Sequence, residues 1–168
     1  MSQQQRHPNK LSRTVALFGR LPDVWKQWAL NAVLGRVVPM VGAAKVRFEL
    51  LSAEKVVAEL PNHRRVQNHI QGVHAAAMAL LAETATGFVV GMNVPDDKLP
   101  LIKTLKVDYF RRAVGGLRAE ATLTQAQIGQ IRTQDKGEVT VAVRISDESG
   151  AEPIVCEMLW AWVPKTRK

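Results

Sequence analysis

The sequence predicts an α+β domain in which an antiparallel sheet wraps around one long apolar helix. Three observations carry this. Residues 74–87 (HAAAMALLAETATG) hold one ionisable group, Glu83, after His74; they are apolar on nearly every side, so a helix there is buried all round. Segments of alternating apolar and polar residues, the period of half-buried strands, lie on both sides of it in the chain. The 168 residues, 46% of them hydrophobic, suffice for one sizeable core. That core has no disulfide framework, because Cys156 is the only cysteine.

Residues 1–10 are polar (MSQQQRHPNK) and lack the apolar stretch of a signal peptide; they are expected to be a disordered tail. Residues 11–20 read as a short helical lead-in. Pro22 fits a first helical turn and Asp23 the positive end of a helix. Trp25, Trp28, Ala29, Ala32 and Val33 recur at helical spacing, so 22–34 reads as an extra N-terminal helix ended by Gly35. Val46, Phe48 and Leu50, then Val56, Ala58 and Leu60, give two strands around a turn at Ser52–Glu54. Pro61 to Gly72 is a polar loop. The alanine- and leucine-rich helix follows, with Gly87 or Gly91 as its stop and a turn region over 94–100. Four strands are expected after that. They carry Leu105, Val107 and Tyr109; Leu117, Ala119, Ala121 and Leu123; Val139, Val141, Val143 and Ile145; and Ile154, Cys156, Met158, Trp160 and Trp162. The domain is expected to span 11–164, with a basic tail at 165–168. One sheet curled around one helix satisfies this order with a single core.

The net charge is +8 and the sequence pI about 10.1, which favours anionic partners. The basic residues are scattered, with Arg64–Arg65 and Arg111–Arg112 the longest internal clusters. There is no zinc-ligand spacing, aromatic-basic RNA-binding motif or obvious helix-turn-helix, so neither a metal nor a nucleic-acid partner is expected, and no cofactor. No run of 18 uncharged apolar residues suggests a membrane span. The lone cysteine fits a reducing, cytoplasmic setting.

Glu83 is the leading chemical candidate. A carboxylate buried on an apolar helix is costly to ionise, and burial raises its pKa towards a value useful for a base or acid. The plainer readings are that it reaches solvent or pairs with an arginine. The helix start is the second candidate. Its first N–H groups lack helical partners and can receive a carbonyl oxygen as negative charge develops on it. Gly72 and His74 lead into that turn, and Asn68 is placed to orient a substrate or water. Taken singly, a loop-capping Asn68 and a His74 that packs in the core or bonds backbone are the favoured readings.

Residues 68–87, NHIQGVHAAAMALLAETATG, resemble the signature of hotdog-fold acyl-CoA thioesterases of the phenylacetate-pathway type. In that pattern an asparagine and a glycine precede His-Gly-Gly, an acidic residue lies nine positions after the histidine, and a glycine follows. Asn68, His74, Glu83 and Gly87 match it. Residues 105–123, LKVDYFRRAVGGLRAEATL, resemble the same family's strand–turn–strand, with an arginine after an aromatic residue. The stretch NAVLGRVVPMVGAAKVRFELL resembles an uncharacterised hotdog branch with an added N-terminal helix. The likeness covers about residues 22–163. Gln71-Gly72 shifts the family's glycine by one, and Ala75-Ala76 replaces Gly-Gly; the backbone N–H survives, and the methyl groups narrow the space above the helix end.

The resemblance implies hydrolysis of an acyl-thioester, on CoA or an acyl carrier. Ala75 N–H would polarise the carbonyl, Glu83 would activate water or attack directly, and Asn68 would place the water. Arg111 and Arg112 are candidates for the CoA phosphates, with a solvated turn as the plain alternative. Ala75 and Glu83 are eight residues apart on one helix, about 12 Å at the usual rise. Both therefore serve one thioester only if a two-fold homodimer, or a dimer of such dimers, brings two chains together. A non-catalytic acyl-ligand binder or a structural hotdog dimer is the alternative.

Overall fold

The computed structural model of the chain describes residues 9–18 and 22–165. Three helices come first: α1 (Lys10–Phe18), α2 (Asp23–Val37) and α3 (Pro39–Ala43). The hairpin β1 (Arg47–Leu51) and β2 (Lys55–Leu60) follows, its turn closed by Ser52 N–H donating to the Lys55 carbonyl at 2.9 Å. After a loop with one 3-10 turn comes α4 (Ala75–Gly91). The rest is β3 (Lys98–Tyr109), β4 (Leu117–Thr122), α5 (Gln125–Thr133), β5 (Gly137–Asp147) and β6 (Ile154–Pro164).

The six strands form one antiparallel sheet in the order β1-β2-β4-β5-β6-β3. Helix α4 packs on β2, β3, β4, β5 and β6. Leu81, Ala82, Ala85, Val89 and Val90 of α4 are fully buried against Val56, Ala58, Ala119, Ala121 and Met158. The alanines allow a close approach, and at Gly87 no side chain fits at all: a Cβ there would lie 2.7 Å from the Trp160 ring. Trp160 Nε1 donates to Thr86 Oγ1 at 3.0 Å, which satisfies a buried indole.

Several sequence expectations are amended. Gly87 lies inside the helix, and Gly91 ends it. Ala75 and Ala76 are exposed, so the burial of α4 begins at Ala77. Pro22 is the residue before α2, one position earlier than expected. Strand β3 begins at Lys98, inside the expected turn region, and includes Pro100; an edge strand accommodates the proline because one N–H can be spared. The last four strands are not a simple run: α5 interrupts them, and β3 pairs with β6. Helix α5 has only two buried apolar residues, Ile128 and Ile131, and so lacks a strong periodic signal. Its start was encoded, since Thr124 and Gln127 form a reciprocal capping box. Of the expected tails, residues 1–8 and 166–168 lie outside the described residues. Asn9, placed in the tail by composition, is buried; its Nδ2 donates to the Gly91 and Val94 carbonyls, both at 2.6 Å. Lys165 N–H donates to the Asp97 carbonyl at 2.8 Å.

The two sheet edges differ. On β1 a bulge between Phe48 and Leu50 breaks the alternation and leaves Leu50 exposed. Asn31 of α2 accepts the Phe48 N–H at 2.8 Å, covering part of that edge. The β3 edge is twelve residues long and exposes Leu99, Leu101, Ile102, Leu105 and Tyr109. A long apolar edge of this kind invites another strand.

Candidate active site

The loop before α4 is held by its own polar groups. Asn68 Oδ1 accepts the Ile70 and Gly72 N–H groups, both at 3.1 Å. The Asn68 N–H donates to the Gly72 carbonyl at 2.9 Å, and Gln71 takes the left-handed conformation this closure needs (φ 62°). Asn68 therefore caps the loop through its oxygen, which leaves its Nδ2 group to donate elsewhere. His74 caps the helix: its N–H donates to the Val66 carbonyl at 2.7 Å, and its Nδ1 accepts the Ala76 N–H at 3.0 Å. That bond requires Nδ1 to be unprotonated. The Ala75 N–H is left without a partner among the described residues, at the positive end of a 17-residue helix. Tyr109 Oη donates to the Ala75 carbonyl at 2.9 Å and fastens β3 to the helix start.

Beside this start is an open groove of about 640 Å³, lined in part by Gln71, Gly72, Arg111 and Arg112. Arg111 Nη2 lies 3.8 Å from Asp147 Oδ2. Asp147 is buried, which pushes its pKa up, but bonds from the Ser149 hydroxyl and the Val114, Ser149 and Ala151 N–H groups outweigh this and hold it below the usual value. Its charge is thus largely committed to that turn. Arg112 makes no ion pair among the described residues.

Glu83 lies two turns further along α4. It is half-buried, makes no ion pair among the described residues, and its pKa is pushed up by burial. It lines an apolar cavity of about 470 Å³ between α4, α1 and α2, with Pro100 and Trp160 on the sheet side. Thr84 lines the same cavity; its residue is 2% exposed and its hydroxyl has no hydrogen-bond partner. Cys156 does not compete as a nucleophile, because burial first and the nearby Asp108 second push its thiol up to about 11.

Residues 26–163 match the domain of unknown function DUF4442. The chain belongs to this family. No curated protein matches it by sequence. Among solved structures, it is similar to a Pseudomonas aeruginosa protein of unknown function described as a probable thioesterase. The two are 24% identical, with a TM-score of 0.73 over 86% of this chain and 97% of that one. A thioesterase mutant from Pseudomonas aeruginosa is 18% identical, with a TM-score of 0.63 over 75% of this chain and 86% of that one. A Haemophilus influenzae thioesterase is 15% identical, with a TM-score of 0.58 over 74% of this chain and 82% of that one. These likenesses establish the hotdog fold for this DUF4442 chain.

Within it, the residues singled out from sequence fall into two groups. Asn68, Gly72, His74, Ala75, Arg111 and Arg112 gather at the start of α4 and the adjoining groove. Glu83 stands apart, in a different cavity. Sequence reasoning missed Thr84 and the link from Tyr109 to Ala75. Thr84 carried a signal as the hydroxyl next to Glu83; Tyr109 carried none, since alternation cannot say which strand is the edge. Among the described residues no group of three or more His, Cys, Asp and Glu could hold a metal, and no helix is long and apolar enough to cross a membrane.

Proposed function

We propose that this DUF4442 chain hydrolyses an acyl-thioester, with acyl-CoA as the substrate, at a site shared by two copies. The observation that carries the reading is Glu83, a half-buried carboxylate with a raised pKa, no ion pair among the described residues and an apolar cavity in front of it. A group of this kind takes a proton more readily than an ordinary carboxylate. The thioesterase names of the similar structures support the same chemistry.

The exposed β3 edge supports the two-copy arrangement. This strand runs antiparallel to α4: Tyr109 touches Ala75 at the helix start, while Pro100 lines the cavity with Glu83. If two β3 edges pair antiparallel about a two-fold axis, the Tyr109 end of one meets the Pro100 end of the other. Ala75 of the partner subunit then comes towards Glu83. In that geometry Glu83 removes a proton from water as the water oxygen bonds to the thioester carbon. The carbonyl oxygen gains negative charge and is received by the N–H of Ala75 of the partner subunit. Collapse breaks the C–S bond, and the departing thiolate takes the proton back from Glu83, giving a free acid and CoA. Arg111 and Arg112, in the groove beside the helix start, suit the CoA phosphates.

The experiment is a thiol-release screen over short, long and aromatic acyl-CoAs, run with light scattering. Turnover by a dimer or larger assembly is expected. A strict monomer at micromolar concentration would remove the shared site. A second reading, a non-catalytic acyl-ligand binder, draws on Asn68, whose oxygen is already used by the loop. Acyl-CoA binding without thiol release would select it.

A further inference from the structure

The cavity in front of Glu83 has a direction. Glu83, Gly87 and Gly91 are spaced by four residues on α4, so they lie on one face of the helix. At Gly87 the Trp160 ring takes the place of a side chain, Gly91 leaves its position open, and all three residues line the cavity. Its far walls come from outside the hotdog core: Leu11 and Thr14 of α1, and Val33, Leu34 and Val37 of α2. Helix α1 is fastened where it crosses the far end. Asn9 is buried and bonds the Gly91 and Val94 carbonyls, the Lys10 N–H donates to Asp96 Oδ1 at 2.9 Å, and Arg13 pairs with Asp96 at 3.0 Å. Leu11 sits over Gly91, with its Cδ2 3.4 Å from where a Cβ on that glycine would stand. The space is therefore a partly open apolar channel that starts at a carboxylate and ends under α1.

The chemistry of the lining points to an occupant. Glu83 is the one carboxylate among the residues that line the cavity, and the walls beyond it are apolar. The occupant therefore has a polar head at Glu83 and an apolar tail towards Gly91.

We propose that this channel holds the acyl chain, that the chain is an unbranched aliphatic one of medium length, and that Leu11 and Gly91 set where it ends. The proposal rests on the hydrolytic reading of Glu83 for the identity of the head group. From Glu83 to Gly91 is eight residues, about 12 Å along the helix. An extended chain of roughly eight to ten carbons spans that distance, since bonds of about 1.5 Å advance in a zigzag. Each methylene that finds its place is worth roughly fourfold in binding. An aromatic acyl group would leave most of the channel empty.

The test is a chain-length profile of kcat/KM from acetyl-CoA to palmitoyl-CoA, with phenylacetyl-CoA included, for wild type, Gly91→Met and Leu11→Ala. Wild type is expected to peak at eight to ten carbons. Gly91→Met, which fills the end under α1, should lower the rate on decanoyl-CoA at least tenfold and leave butyryl-CoA within about twofold. Leu11→Ala should move the peak to longer chains, and it keeps the proposal testable if Gly91→Met does not fold. Turnover with profiles that both variants leave unchanged, or with phenylacetyl-CoA preferred, overturns the channel while the hydrolytic reading stands. If no thioester is turned over, binding of decanoic acid is measured by calorimetry. Binding that Gly91→Met abolishes keeps the channel and removes the hydrolysis; no binding overturns both. Loss of self-association in Gly91→Met, with an unchanged profile, assigns the groove to a second copy and overturns the proposal.

Discussion

The two halves of α4 are one helix by sequence and two environments by structure. The start is exposed, polar and already bonded: His74 caps it, Asn68 holds the loop before it, and one N–H at Ala75 is left over. The second half is apolar and partly covered by α1 and α2, with a single carboxylate that burial pushes towards its neutral form. The first environment suits a developing negative charge and the second a proton transfer. The axial distance of about 12 Å between them prevents one chain from applying both to the same thioester carbon. On the proposed reading, the helix carries both halves of the mechanism and requires a second copy of itself.

The sharpest way to break this contrast is at Glu83. Glu83→Ala is expected to lower kcat by about 10²–10⁴-fold on the best substrate of the screen, the usual cost of losing a general base. Glu83→Gln should fall in the same range. Equal rates in all three proteins would take the carboxylate out of the chemistry.

The other half is tested by Ala75→Pro. Proline is well tolerated at the first helical position, and His74 is extended (φ −65°, ψ 141°), as a residue before proline should be. The change thus deletes the one free N–H and keeps the helix, and a rate loss of about 10²–10³-fold is expected. Mixing Ala75→Pro with Glu83→Gln sharpens the comparison further. Mixed dimers regain one intact site, so unfolding and refolding the two together should restore about a quarter of wild-type activity. No recovery, with exchange confirmed by mass spectrometry, would mean that both groups act within one chain.

A smaller effect separates the environments without any substrate. The folded-state pKa of Glu83 is raised by burial, so the folded chain binds that proton more tightly than the unfolded one. Stability contributed by the neutral form is full below the unfolded value and is lost as pH rises through the folded value. Thermal unfolding of Glu83→Gln should therefore match wild type at acid pH and exceed it above the raised pKa. A constant difference across pH would show a carboxylate that burial does not perturb. The smallest effect is expected at Cys156, whose thiol stays protonated with its pKa near 11. Cys156→Ser should leave kcat/KM within about twofold, because a protonated thiol is a poor nucleophile.

Much of the fold was legible, since hydrophobic periodicity reports which residues must leave water. The alanine-rich run from 74 gave α4, and alternation gave most of the strands around it. Helix α5 was missed because two isoleucines among polar residues make a faint stripe, although Thr124 and Gln127 spelled its cap. Composition puts Asn9 in a tail because it cannot foresee one amide bonding two carbonyls some eighty positions away. At the site, the residue types and their spacing along α4 were readable. The order of strands was not, and so neither was the exposed β3 edge nor the link from Tyr109 to Ala75.

The sequence by itself determined that one apolar helix with a lone carboxylate would form the core, because propensity and hydrophobic burial act on local pattern. Only the tertiary structure decided what that carboxylate faces. It laid α1 and α2 over Glu83, Gly87 and Gly91, left the Thr84 hydroxyl unpartnered beside them and put β3 at the edge. Those outcomes depend on contacts between residues far apart in the chain, where the gain from closing a cavity or pairing an edge depends on all the other elements at once.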